Sequence, residues 1–328
     1  MQRIILDTDP GVDDALAIAL ALNSTGLKVE AITTVNGNVG VDYCTRNLSL
    51  ILSAMGNVSV PIVAEGESQP LSVSIVNASH VHGSDGLGGV TQLRDANGNQ
   101  CYLDMLLPPV TTGAVDVVLE LVTRYPGQVV LLCIGPLTNI AKAVLKCPIG
   151  MKKTKGIVLM GGAFEVYGNV TLSAEFNVYA DPHAAQIVFD SGIPITIVPL
   201  DVTHQVLLNA REFEKLCVRH GGQWGRFLSD CTKVCFEFHR CHEGLDGFYL
   251  HDPVAVGYLE YPGFFDTVPA YVQVEINDGL TRGRTVADLR ANRIDKPEPN
   301  AQVCVGINTS QFLDYFLDCI FASAQKRG

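Results

Sequence analysis

The sequence predicts an α/β fold in one domain, a mostly parallel central sheet flanked by helices. Three observations carry this expectation. Short, near-continuous apolar runs alternate with segments of helical period. Glycine-rich or carboxylate-rich turns follow the runs. No internal repeat, low-complexity tract or linker divides residues 1–328. Apolar strands of this kind are buried on both faces, as in parallel sheets covered by helices.

The elements follow in order. Residues 3–6 form a short buried strand, and an apolar helix over 15–22 follows it. A β-branched strand covers 28–35, an amphipathic helix 42–55 ends at Gly56, and a short strand covers 60–64. The Ser-, Gly- and Asn-rich stretch from 67 to 109 breaks the rhythm, and a loop that long inside a domain is usually functional or mobile. The alternation resumes with a helix over 115–124, a strand over 129–134, a helix over 139–146 and a strand over 156–160. A helix over 182–190 and a strand over 193–199 complete it. From residue 211 the pattern is helical through Trp224 to His242. Strands over 271–276 and 303–307 and a last helix over 311–325 close the chain.

Composition excludes several classes of function. Nearly half of the 328 residues are apolar and 17% are charged, which suits a compact globular protein. A net charge of −11 argues against nucleic acid, whose phosphates need a basic footprint. No apolar stretch approaches membrane-spanning length, and nothing before Asp7 resembles a secretory signal, so the expected location is cytoplasmic. The ten cysteines are scattered. Cys231, Cys235, His239, Cys241 and His242 invite a zinc reading. However, Trp224, Phe227, Leu228, Cys231, Val234, Cys235 and Phe238 recur at helical spacing, which makes the two cysteines part of a core-facing stripe.

The chemistry begins where the first strand ends, in Asp7-Thr8-Asp9-Pro10-Gly11-Val12-Asp13-Asp14. Four carboxylates in eight residues repel one another, a cost that is tolerable if a hard cation such as calcium or magnesium sits among them. Asp13 and Asp14 also fall in the first helical turn, where the macrodipole favours anions. A blander reading has Asp7 or Asp9 capping the helix and the other carboxylates solvated. Ligands of open parallel sheets bind beyond the carboxyl ends of the strands. Those ends carry Asn36-Gly37-Asn38, Gly135-Pro136-Leu137-Thr138-Asn139, Gly161-Gly162 with Asn169 and Glu175-Phe176-Asn177, and Leu200-Asp201-Val202-Thr203; later, His251-Asp252-Pro253 opens a helix. Amides and carboxylates without basic residues match a polyol rather than a phosphate.

Taken together, these segments resemble the inosine–uridine nucleoside hydrolase family. The resemblance runs through Asp7 to Ala15, Thr33 to Asn38, His82 to Gly88, Gly135 to Ile140, Met160 to Gly162, Ala174 to Asn177, Asp181 to Ala185 and His251 to Pro253, and covers essentially the whole chain. It implies a Rossmann-like open sheet and calcium-dependent hydrolysis of the N-glycosidic bond of ribonucleosides. It also implies a homodimer or homotetramer whose partner is a small nucleoside, with neither nucleic acid nor membrane involved. Calcium would be held by Asp9, Asp14, the carbonyl of Ile134 (a threonine in several relatives) and Asp252. Asp9 would also be the general base, and Asp7 a support behind it. Asp13, Asn38 and Asn177 would hold the 2′- and 3′-hydroxyls, and Asn169 and Glu175 the 5′-hydroxyl, with Phe176 beside them. His82, His239 and His251 are the candidates for assisting the departing base.

Purine-specific relatives flank the base with two tryptophans and carry Asp where this chain has Asn38. The single Trp224 and the histidine pattern therefore favour pyrimidine nucleosides, with a broad inosine–uridine activity as the alternative. Two other classes compete. A phosphatase using Asp7 as nucleophile would need a basic residue for its phosphate. A calcium-dependent nucleoside sensor would not need Asp9. The 67–109 loop and the Trp224 helix region are expected to close over the base.

Overall fold

The computed structural model describes residues 1–56, 58–105, 112–290, 295 and 297–322. The strands are β1 (Gln2–Thr8), β2 (Leu27–Thr34), β3 (Ile62–Glu65), β4 (Val129–Cys133), β5 (Gly156–Met160) and β6 (Ile195–Val198). They continue with β7 (Leu207–Asn209), β8 (Gly247–Tyr249), β9 (Phe265–Ala270), β10 (Val272–Val274), β11 (Thr285–Ala287) and β12 (Ala301–Ile307). Among the described residues the main sheet has eight strands in the order β3-β2-β1-β4-β5-β6-β12-β9, parallel except for β9, which runs antiparallel to β12. β7 pairs with β8 and β10 with β11 in two small antiparallel ribbons.

The interior strands form because their residues have no polar burden to expose. In β4 all five of Val129–Cys133 are buried. Their side chains alternate between two cores. One core holds Leu132 with α1 (Val12–Asn23). The other holds Leu131 with α4 (Ala114–Arg124) and α5 (Thr138–Lys146). Helix α2 (Val41–Met55) and the short α3 (Ser79–His82) precede α4. After α5 come α6 (Pro148–Met151), α7 (Phe176–Ala180), α8 (Pro182–Phe189) and α9 (Leu200–Thr203). The chain continues through α10 (Ala210–His220), α11 (Gly222–His242), α12 (His251–Glu260) and α13 (Thr309–Ile320).

Three expectations change. The strand expected over 271–276 is the shorter β10, which lies outside the main sheet and pairs with β11. Its place at the sheet edge belongs to β9, which was not foreseen because Pro269 interrupts it; an edge strand tolerates the missing N–H. The final helix stops at Ile320, and residues 323–325 of the expected helix lie outside the described residues. So do residues 106–109 of the expected loop. Among the described residues no helix is long and apolar enough to cross a membrane.

Candidate active site

β1 lies between β2 and β4, where successive connections diverge to opposite edges of the sheet. Such a switch point opens a crevice at the strands' carboxyl ends. A cavity of about 470 Å³ opens there, and it is lined by Asp9, Asp13, Asn38, Ile134, Asn169, Glu175, Phe176, Asn177 and Asp252. His82, His239 and His251 line it too. Every substrate-binding and histidine candidate from the sequence thus faces one cavity. Among the described residues no lysine or arginine lines it. Asp7 and Asp14 are fully buried and are not among the residues lining it.

The acids are held by a network that fixes each in place. Asp14, at the third position of α1, accepts from Gly11 N–H at 2.9 Å and Asn38 Nδ2 at 3.0 Å on one oxygen, and from the Thr8 hydroxyl on the other. The helix start is therefore stabilised by Asp14, and Gly11, not Asp7 or Asp9, occupies the cap. Asp9 accepts from Asn38 N at 2.7 Å, and its main-chain carbonyl takes Asn38 Nδ2 at 3.1 Å. A Cβ added at Gly37 would fall 2.0 Å from Asp9 Oδ2, and one at Gly135 would fall 2.6 Å from Oδ1, so both turns must pass the carboxylate as glycine. Asp7 receives the Thr33 hydroxyl and Asn139 Nδ2 on a single oxygen, and its buried Oδ2 has no partner.

Oxygens of Asp13, Asp14 and Asp252 converge within 4.8 Å of one another. Asp9 is not part of this trio, and Asp13, expected on the sugar, is. Burial pushes these acids up, and repulsion from neighbouring carboxylates adds to it for Asp9, Asp14 and Asp252. Asp14 rises to about 6 through burial and then the charge of Asp13; Asp13 also rises to about 6, chiefly through burial. Asp9 and Asp252 rise well above the ordinary carboxylate range, Asp9 through burial and Asp14, Asp252 through burial and then Asp13 and Asp14. A buried, all-oxygen, uncompensated anionic set fits a hard divalent cation and not zinc, which prefers nitrogen and sulfur. The Cys231–His242 segment offers no rival. Cys231 and Cys235 are buried in the core while Cys241 and His242 are exposed.

Opposite the trio, Glu175 caps α7. Its carboxylate accepts from Asn177 N at 2.8 Å, Gly162 N at 3.0 Å and Val178 N at 3.1 Å. Asn177 Nδ2 reaches the carbonyls of Ile134 at 2.9 Å and Met160 at 3.2 Å, so the carbonyl expected to hold calcium is engaged by the amide expected to hold ribose. Asn169 is exposed at the rim, where its Oδ1 accepts from Phe176 N at 2.9 Å.

The histidines differ in which nitrogen is free. Val12 N–H donates to His82 Nδ1 at 3.2 Å, so the neutral ring carries its proton on Nε2, and burial pulls this imidazole down to about 4. His239 Nδ1 faces the Cys235 carbonyl at 2.8 Å, which calls for a proton on Nδ1, while its Nε2 lies 4.0 Å from Glu243 Oε2. His251 Nδ1 lies 2.8 Å from Thr203 Oγ1, and burial followed by His204 holds this ring well below the ordinary histidine value.

Sequence reasoning missed His204, Phe238, Glu243, Phe248 and Tyr249, which line the other end of the cavity. His204 could have been found, since it is the next residue after the strand-end segment that closes at Thr203. Trp224 is not at the cavity. Its Nε1 donates to Ile320 O at 3.0 Å and its ring stacks on Phe227, as its place in the core stripe predicts. The wall is instead supplied by His80, Val81 and His82 of the 67–109 loop and by Cys235, Phe238 and His239 of α11.

Comparison with known proteins agrees with this geometry. The profile of a family described as inosine-uridine preferring nucleoside hydrolase matches residues 4–314. A pyrimidine-specific ribonucleoside hydrolase, RihA, of Citrobacter koseri is 36% identical over 95% of this chain and 95% of its own length. A protein named probable uridine nucleosidase 2 from Oryza sativa subsp. japonica is 37% identical over 91% of this chain and 85% of its own. The solved structure of a purine-preferring ribonucleoside hydrolase from Gardnerella vaginalis superposes with a TM-score of 0.86 at 34% identity, covering 98% of both chains.

Proposed function

Because this chain belongs to the inosine–uridine preferring nucleoside hydrolase family, we propose that it hydrolyses the N-glycosidic bond of ribonucleosides to ribose and free base, with pyrimidine nucleosides preferred and calcium as its metal. The observation that carries the reading is the buried trio Asp13, Asp14 and Asp252 at a cavity that, among the described residues, is lined by no lysine or arginine. That absence weighs against phosphate chemistry, which needs a cationic clamp. Residues 1–328 form one hydrolase domain in this reading, acting as a cytoplasmic homodimer or homotetramer.

Asp13, Asp14 and Asp252, with Asp9 and the Ile134 carbonyl adjoining, would hold the cation. When bound, it would offset the clustered charge and act as a Lewis acid toward water. The chain's own groups do the rest. Asp9, gripped by Asn38 N–H and pressed between Gly37 and Gly135, is a fixed base for the hydrolytic water. Asp13, Asn38 and Asn177 hold the vicinal ribose hydroxyls, and Glu175 and Asn169 the 5′ end, beside Phe176. As the glycosidic bond breaks, positive charge develops on the sugar, and the acidic wall stabilises it. His82, His239 and His251, which line the same cavity, meet the base. The pyrimidine preference is supported by the single tryptophan lying away from the cavity and by the names of the RihA and rice relatives.

The test is release of ribose from uridine, cytidine, inosine and adenosine, with and without a calcium chelator. Turnover of the pyrimidine nucleosides first, lost on chelation and restored by calcium, is the expected result. Binding without turnover of any of the four would replace the enzyme by a sensor.

A further inference from the structure

Resting on the hydrolase reading above, we propose that Thr203 is a positioning residue that fixes His251 as a hydrogen-bond donor to the departing base. Thr203 ends α9, just after β6, and is fully buried. Its Oγ1 lies 2.8 Å from His251 Nδ1, and among the described residues this ring is the hydroxyl's one hydrogen-bond partner. A buried hydroxyl proton needs an acceptor. The Pro199 carbonyl, one turn back, already takes the amides of Val202 at 3.0 Å and Thr203 at 3.1 Å. The hydroxyl therefore donates to Nδ1, and a neutral imidazole that accepts at Nδ1 carries its proton on Nε2.

His251 lines the cavity, and its ring is flanked by His204 at 5.6 Å and Tyr249 at 6.0 Å between centroids. Among the described residues, Nε2 has no hydrogen-bond partner. It is the polar group this ring has left to offer a ligand. His239 is the internal contrast. A carbonyl takes its Nδ1, its Nε2 lies 4.0 Å from Glu243 Oε2, and no hydroxyl sets it. In the reaction the electron pair of the C–N bond passes to the base, where the Nε2–H bond stabilises it. The balancing proton comes from the water whose hydroxyl adds to the ribose. Thr203 touches neither sugar nor base, and acts through the ring it holds.

The experiment compares Thr203→Val, a near-isosteric change that removes the donor, with Thr203→Ser, which keeps it. Two substrates are used with calcium present: uridine, and 4-nitrophenyl β-D-ribofuranoside, whose phenolate leaves without needing a hydrogen bond. T203V should lose kcat on uridine by about 10- to 100-fold, the scale of one misplaced transition-state donor, and change by less than about 3-fold on the nitrophenyl riboside. T203S should restore uridine turnover to within about 3-fold of the parent, because it restores the donor to Nδ1. Equal losses on both substrates, an unimpaired T203V on uridine, or a T203S as poor as T203V would each overturn the proposal. A parent protein inert on both substrates would instead refute the hydrolase reading from which the proposal starts.

Discussion

Replacing Asp7 by Asn should stabilise the metal-free protein at neutral pH and do almost nothing in acid. Asp7 is fully buried, its Oδ2 has no partner, and burial raises its pKa from 3.8 to about 6 against the opposing hydrogen bonds of Asn139 and Thr33. The folded state therefore keeps a proton that the unfolded chain releases. That contribution is fully present below about 3.8 and is lost as pH rises through about 6. At about 1.36 kcal/mol per pKa unit, a shift of some two units amounts to roughly 3 kcal/mol. Asn at this position keeps an oxygen for Thr33 and Asn139 and replaces the ionisable oxygen with a neutral amide, so it mimics the protonated acid. Urea unfolding of parent and variant in chelator at pH 4 and pH 7.5 measures the difference. The variant should gain about 3 kcal/mol at the higher pH and near zero at the lower. Excess calcium should shrink the gain, since a nearby cation favours the ionised carboxylate. A gain that is the same at both pH values, or a variant less stable than the parent at pH 7.5, would refute the argument that burial of an uncompensated charge sets Asp7's energetics. The comparison must be made between variants, because buried His82, pulled down to about 4, titrates with the opposite sign in an overlapping window.

Two further outcomes are expected. Asp252→Asn removes one carboxylate from the trio, so metal-free stability at pH 7.5 should rise while the increase in Tm on adding calcium shrinks. Its kcat/KM on uridine should fall by more than about 100-fold, the scale of losing several kcal/mol of metal-assisted stabilisation; an unchanged calcium-induced Tm shift would remove Asp252 from the cation site. 2′-Deoxyuridine should be turned over far more slowly than uridine if Asp13, Asn38 and Asn177 hold two vicinal hydroxyls, as proposed. Comparable kcat/KM for the two nucleosides would disprove that assignment.

The sheet and the sugar end of the cavity were legible because each rests on local signals. The apolar run before Asp7 reads as a buried strand, and the rule that ligands lie at strand ends singles out Asn38, Glu175 and Asn177, while Ile134 and Asp252 enter as metal candidates through the family resemblance. β1 nevertheless continues two residues further than its apolar run, because Asp7 and Thr8 are paired in register with Thr33 and Thr34 of β2, a contact no window of sequence contains. The three-residue strands β7 and β8 are too short to show alternation. The histidine tautomers were illegible for another reason. His82 is set by Val12, 70 residues away, and His251 by Thr203, 48 residues away, so the free nitrogen is decided by tertiary contacts alone.

The two ends of the cavity are built from different material. The proposed sugar end is set on strand termini and the starts of helices, where Asp9, Asp14 and Glu175 are pinned by main-chain amides and neighbouring side chains. The base end is an annex, a glycine-rich loop laid against a long helix more than 130 residues further along the chain. The two are so closely fitted that a Cβ at Gly88 would lie 2.2 Å from the Cys231 carbonyl oxygen. Side chains on that annex can be exchanged without disturbing a strand. This modularity offers a physical reason why proteins of similar distance from this chain bear names that divide between pyrimidine and purine nucleosides. The scaffold separates the choice of leaving group from the machinery that cuts the bond, so the first can drift while the second stays put.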